Sequence, residues 1–212
     1  PINNMQLYTT EADSNWWLEK RNEIIGLTNN QPYAVIAPTS RWPAKRWPVE
    51  RFASLIEPIL QRGFKSVVVI GAKSERDQCT PVISKCDNKH IIDLVGHTDV
   101  GKLMAVIQTA DLVIANDSAA LHMAVGFKRR FLALYGPTAV EKVGPYPMET
   151  SRKWVIQNVS EHEKLNHKNT SATATEQMER ISLQQIISNI DQIVSEIPLD
   201  CPKNTISGHE QQ

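Results

Sequence analysis

Five short apolar runs, Tyr33–Ala37, Val67–Ile70, Ile91–Leu94, Leu112–Ala115 and Phe131–Leu134, alternate with stretches of helical periodicity. The runs are continuous or β-branched rather than alternating, the pattern of strands buried on both faces. A strand with two apolar faces needs cover on both sides, and the segments between the runs supply it. Phe52, Leu55, Ile56, Ile59 and Leu60 fall on one helical face, which Gly63 ends. Leu103, Val106, Ile107 and Ala110 mark a second face, and Ala119 to Val125 forms a short third helix closed by Gly126. Strands alternating with helices imply right-handed crossovers and a parallel sheet. The expected fold class is α/β, a Rossmann-like parallel sheet over residues 33–158. Pro58 lies inside the first helix and is expected to kink it.

The flanks read differently. Residues 1–32 are polar and read as a linker segment holding one helix, capped by Ser14, opened by Trp16, Trp17 and Leu18, and continued from Glu19 to Ile25. Gly26 and Asn29–Pro32 then break the chain. Residues 159–200 read as a polar loop followed by an amphipathic helix whose stripe runs from Ile181 and Leu183 through Ile186, Ile187, Ile190 and Ile193 to Val194. Residues 201–212 read as a disordered tail.

Composition narrows the function classes. With 41% hydrophobic and 22% charged residues, this is the balance of a soluble globular domain. Lys+Arg and Asp+Glu both number 23, which speaks against a nucleic-acid groove or an acidic tail. The three cysteines, Cys79, Cys86 and Cys201, are too few and too scattered for a disulfide framework or a zinc site, and fit a reducing, cytoplasmic compartment. No run approaches the ~20 apolar residues that span a bilayer, and no signal peptide is visible.

In open parallel sheets, ligands sit beyond the carboxyl ends of the strands. After the first run come Thr39, Ser40, Arg41, Trp42, Lys45, Arg46 and Trp47: two hydroxyls and three cations ahead of a helix. Those groups suit a diphosphate, although a solvated basic loop with packed tryptophans has the same composition. After the second run, Glu75 could accept from ribose hydroxyls or merely start a helix. After the fourth run, Asp117 or Ser118 caps a helix whose free N–H groups make an anion site, with His122 on the same face one turn in. After the fifth, Gly136–Pro137–Thr138 and Gly144–Pro145 form a shaped loop. A G-x-G-x-x-G fingerprint, a P-loop, H-E-x-x-H and D-x-D metal motifs and a G-x-S-x-G elbow are all missing from the sequence.

In this order, the loops resemble glycosyltransferase family nine, the ADP-heptose:lipopolysaccharide heptosyltransferases. Lys45–Arg46–Trp47–Pro48 with Arg51–Phe52–Ala53 is similar to the family's opening motif. Asp93–Leu94–Val95–Gly96, Leu103 and Ile107–Val113 resemble its middle stretch. Asp117–Ser118–Ala119–Ala120–Leu121–His122 resembles its D-[ST]-G-x-x-H signature, with Ala119 in place of the glycine. Leu134–Tyr135–Gly136–Pro137–Thr138 and Gly144–Pro145–Tyr146 resemble its closing G-P-T … G-P-Y.

The resemblance implies the C-terminal half of a GT-B fold, which binds an ADP-heptose-like nucleotide-diphosphate sugar without metal or cofactor. It implies that Thr39, Ser40 and Lys45 hold the diphosphate, Glu75 the ribose, and Asp117 the sugar hydroxyls. Thr98 would lie near the base, Ser118 and Ala119 would offer backbone N–H groups, and His122 would support the site. Lys45 and Asp117 are the two assigned to catalysis. The acceptor, a glycan or lipid-linked molecule, and the catalytic base would belong to an N-terminal domain that this chain does not contain. Part of the final stripe, Leu183 to Val194, would cross to that domain and stand partly exposed here. Ala119 would crowd a backbone approach that glycine allows, which keeps open a degenerate nucleotide-sugar-binding module without transfer activity. Phe127–Lys128–Arg129–Arg130 reads as a solvated basic turn, or as a peripheral membrane contact.

Overall fold

In the computed structural model, which describes residues 7–25, 31–85, 89–160, 163, 165, 172–196 and 199, the sheet has six strands and no antiparallel pair. The first elements in chain order are α1 (Glu11–Ile25), β1 (Tyr33–Ala37), α2 (Val49–Gln61), β2 (Ser66–Val69), α3 (Thr80–Ile83), β3 (Ile91–Asp93) and α4 (Val100–Gln108). Then follow β4 (Leu112–Asn116), α5 (Ala119–Gly126), β5 (Phe131–Tyr135), α6 (Val140–Val143), α7 (Met148–Ser151), β6 (Val155–Gln157), α8 (Ala172–Glu179) and α9 (Leu183–Glu196). The strand order β3-β2-β1-β4-β5-β6 is that of a doubly wound Rossmann sheet. Its order reverses between β1 and β4, so the crevice lies above their carboxyl ends.

The five anticipated strands form within a residue of their apolar runs. The sixth, β6, is an addition: Val155–Gln157 is only three residues long and too short to show a period. Strand residues alternate between two cores. Ala34, Ile36, Val67, Val69, Leu112 and Ile114 face α2 and α9, while Tyr33, Val35, Val68, Val113 and Ala115 face α1, α4 and α5. α2 continues to Gln61, past Pro58. Cys79 is buried, and its thiol is pushed up to about 11 by that burial and by Glu75 and Asp93. Cys86, Cys201, the breaker Gly26–Asn30 and the tail at 201–212 lie outside the described residues.

α1 starts at Glu11, ahead of Ser14. Thr10 serves its first turn by accepting from the Asp13 N–H at 3.1 Å, whereas the Ser14 hydroxyl turns back to the Thr10 carbonyl at 3.0 Å. Trp17 is buried, and its Nε1 donates to Tyr33 Oη at 3.0 Å and Thr109 Oγ1 at 3.2 Å. α1 is therefore held against the same face as α4.

The terminal stripe departs in part from expectation. Ile186, Ile190 and Ile193 are buried against α2 and the sheet of this same domain, while Leu183, Ile187 and Val194 stay half-buried at the edge of the same core. The cause is local: the face of the sheet next to α2 needs a second helix to cover it, and α9 supplies it. Arg62 pins α9 with two bonds to Asp191, at 2.6 and 2.9 Å. The region read as one loop and one helix also holds α8. Among the described residues, no helix is long and apolar enough to cross a membrane. Phe127 is buried, so the ring of the basic turn faces inward.

Gly96 links β3 to the α4 segment with φ +78°, and a Cβ there would lie 2.9 Å from the Lys73 Cα. Both facts exclude a side chain. Gly96→Ala is expected to lower unfolding stability by about 1–2 kcal/mol, seen as a lower urea midpoint at unchanged slope.

Candidate functional site

The crevice is built from loops that follow the strands. The loop after β1 runs from Pro38 to Pro48 and contains a short 3-10 turn, Pro43–Lys45. Asn116, at the end of β4 and fully buried, ties down both ends of this loop. Its Nδ2 donates to the Pro38 carbonyl at 2.9 Å, and its Oδ1 accepts from the Trp47 N–H at 3.1 Å. Held this way, Lys45 reaches Asp117 across 72 residues of sequence, with Nζ 2.5 Å from Oδ2.

That ion pair is largely withdrawn from water, with side-chain exposures of 12% and 6%. His122, one turn into α5, puts its Nε2 3.8 Å from the other Asp117 oxygen. Burial alone would push the carboxyl upward; His122 and Lys45 outweigh it and hold the group at about 2. Asp117 is therefore ionised near neutral pH, suited to accept hydrogen bonds and poorly suited to act as a general base.

On the other side of the crevice, Glu75 sits in the 3-10 segment Lys73–Cys79. Its Oε2 accepts from Thr39 Oγ1 at 2.8 Å and from the Ala72 N–H at 2.9 Å. It thus starts a helical turn, one of the two sequence readings of Glu75, and also couples the loops after β1 and β2. The Thr39 proton is committed to this bond, which leaves Thr39 as an aligner of Glu75. Ser40 Oγ approaches the Asp117 carbonyl at 3.5 Å.

Ser118 precedes α5 in extended conformation, yet its hydroxyl caps nothing and is buried without a hydrogen-bond partner among the described residues. The capping expected of Asp117 or Ser118 does not form, because the Asp117 carboxylate is held by Lys45. The first N–H groups of α5 consequently start without a side-chain cap.

Together these loops enclose a cleft of about 480 Å³. Of the anticipated residues, Thr39, Ser40, Glu75, Thr98, Asp117, Ser118 and Ala119 line it; Lys45 and His122 do not, and instead contact Asp117. The cleft also takes in Arg41 and Trp42, from the loop whose hydroxyls and cations suit a diphosphate, and Asp99, Val100 and Leu103, which the sequence did not mark as site residues. Trp47, by contrast, is core, edge-on to Phe52 at 4.9 Å. The Gly136–Thr138 segment stays off the cleft, and the Gln157 side chain fixes it by donating to the carbonyls of Gly136 and Thr138 at 2.7 and 2.8 Å. Among the described residues, no three His, Cys, Asp or Glu side chains gather as a metal site would require.

A doubly wound sheet with a ligand-sized cleft at its switch point defines a ligand-binding α/β domain. The model of glycosyltransferase family 9 (heptosyltransferase) matches residues 5–175, and the chain belongs to that family. Lipopolysaccharide heptosyltransferase 3 of Escherichia coli (strain K12) is 33% identical over 123 residues, covering 58% of this chain and 36% of that protein. The solved E. coli ADP-heptose lps heptosyltransferase II superposes with TM-score 0.69 at 20% identity, over 90% of this chain and 54% of that one. A similar fold is seen in a dodecameric iron-containing heptosyltransferase, TibC, solved in complex with ADP-D-beta-D-heptose. It gives TM-score 0.57 at 16% identity, over 78% of this chain and 46% of its own. The chain thus spans about a third to a half of the length of these proteins.

Proposed function

We propose that this chain forms the donor-binding part of a heptosyltransferase-like glycosyltransferase. Its ligand would be an ADP-heptose-like nucleotide sugar, and its acceptor a lipopolysaccharide-type or other glycan. The observation that carries this reading is the Lys45–Asp117 pair beside a cleft at the β1/β4 switch point, in a chain of this family. The ribose lies at Glu75, aligned by Thr39, with the base near Thr98. The diphosphate meets Ser40, the start of α5 and Lys45, while Asp117 accepts from sugar hydroxyls, supported by His122.

Transfer in this reading is an inverting displacement at the anomeric carbon. A general base takes the acceptor proton. The departing nucleoside diphosphate is stabilised by Lys45 and the N–H groups of α5 rather than by a metal. The enzyme would act in the cytoplasm, with any membrane contact peripheral.

One observation favours a second reading. The Ala119 methyl is exposed on the cleft wall, where the family signature has glycine. A module that binds the donor without transferring it would tolerate that crowding. Calorimetric titration with ADP, UDP and GDP tests the donor site: saturable binding of ADP, about tenfold tighter than the other two, is expected. Failure of all three to bind would overturn the donor-binding assignment. Binding without sugar release from ADP-heptose by the full-length protein, with acceptor present, would favour the module.

A further inference from the structure

We infer that Arg41 is a second cation, besides Lys45, that meets the nucleotide's diphosphate, acting from the cleft lining itself, and that it strengthens the preference for a diphosphate over an uncharged nucleoside. The inference rests on the donor-binding reading above and deepens it. The loop after β1 offers three cations, and the fold separates their tasks. Lys45 is neutralised by Asp117 and is not part of the cleft lining. Arg46 is spent on the backbone, with Nε donating to the Ser40 carbonyl at 2.8 Å and Nη2 to the Arg41 carbonyl at 3.3 Å. Arg41 alone of the three lines the cleft.

Charge accounting gives Arg41 its weight. The lining contains the carboxylates of Glu75, Asp99 and Asp117, and Arg41 is its one cation among the described residues. With Asp117 paired to Lys45 and Asp99 paired to Lys102 at 3.2 Å, Glu75 is the carboxylate of the lining left to face the guanidinium. A dianionic ligand entering such a space needs a cation that is not already paired. No ion pair links Arg41 to a carboxylate among the described residues, and its guanidinium stands 5.7 Å from the centroid of Trp42, which also lines the cleft. The Arg46 bond to the Arg41 carbonyl fixes the backbone beneath it. A planar guanidinium fork in a cleft also lined by Ser40 and the start of α5 is suited to bridge two phosphoryl oxygens.

The test titrates the wild-type chain, Arg41→Gln and Arg41→Lys with ADP and with adenosine. Arg41 is exposed, so both variants should keep the fold. Arg41→Gln is expected to weaken ADP about tenfold, leave adenosine within about twofold, and make ADP binding less sensitive to salt. Arg41→Lys should fall between, since it keeps charge without the fork. Unchanged ADP affinity in Arg41→Gln would overturn the assignment, as would equal losses for ADP and adenosine. A wild-type chain that binds ADP and adenosine equally would overturn the Arg41 inference while leaving a nucleotide site. One that binds neither would sink both.

Discussion

Replacing Lys45 with alanine is expected to lower the stability of this domain by about 3 kcal/mol near neutral pH and to weaken ADP binding at least ~tenfold. The stability effect comes from what remains behind. Asp117 keeps only 6% of its side chain exposed, so removing Lys45 strands a carboxylate with little access to water. His122, 3.8 Å away and 39% exposed, is a weaker substitute. The pH dependence identifies the carboxylate as the cause. The Asp117 carboxyl is held at about 2, below its ordinary 3.8. A lowered acid contributes stability that is complete above the ordinary value and is lost as pH falls through the folded one. That contribution is of order 2 kcal/mol. The gap between wild type and Lys45→Ala should therefore be full near pH 6 and nearly closed near pH 2. Urea unfolding at both pH values measures it. Removing the carboxylate too, in Lys45→Met with Asp117→Asn, should restore part of the loss, because no buried charge is then left alone. A Lys45→Ala protein as stable as wild type near pH 6 would show that the pair adds no stability.

The fold was legible from the sequence where burial is two-sided. Val67, Val68 and Val69, or Leu112 to Ala115, are apolar at every position because helices cover both faces, and that pattern has one reading. β6 escaped because three residues carry no period. The site was legible by position, since the loops after β1, β2 and β4 must meet at the switch point once the strand order is set. Its pairings were not. Nothing local to Lys45 indicates Asp117, 72 residues away, and nothing local to Asn116 indicates that its amide holds both ends of another strand's loop. Trp42 and Trp47 sit in similar Trp-Pro steps, yet one lines the cleft and the other fills the core. The Asn116 bond to the Trp47 N–H and the Trp47 Nε1 bond to the Ile181 carbonyl set Trp47 apart, and both partners are far away in sequence. The final stripe announced that it needed an apolar partner, but periodicity does not say which surface provides one.

The largest loss of stability is expected from Trp47→Ala, at about 4 kcal/mol. The ring is 1% exposed, lies edge-on to Phe52, and belongs to the core shared by α2, α8, α9 and the sheet. Its Nε1 donates at 2.8 Å to the carbonyl of Ile181, in the turn between α8 and α9. Arg51 donates to that carbonyl at 2.7 Å as well, so the acceptor keeps one partner after truncation and the cavity supplies most of the cost. Trp47→Phe separates the two contributions. It keeps much of the packing and loses only the N–H, at about 1–2 kcal/mol. Both values come from urea unfolding at a common slope. Because Trp47 joins the loop that carries Lys45 to the turn that starts α9, its truncation should also free the α9 amides to exchange before those of β1 and β4. If α9 stays as protected as the central strands in Trp47→Ala, the terminal helices are held by α2 and by bonds such as Arg62–Asp191 and Arg51 to the Ile181 carbonyl, and Trp47 serves the loop rather than the docking of α9.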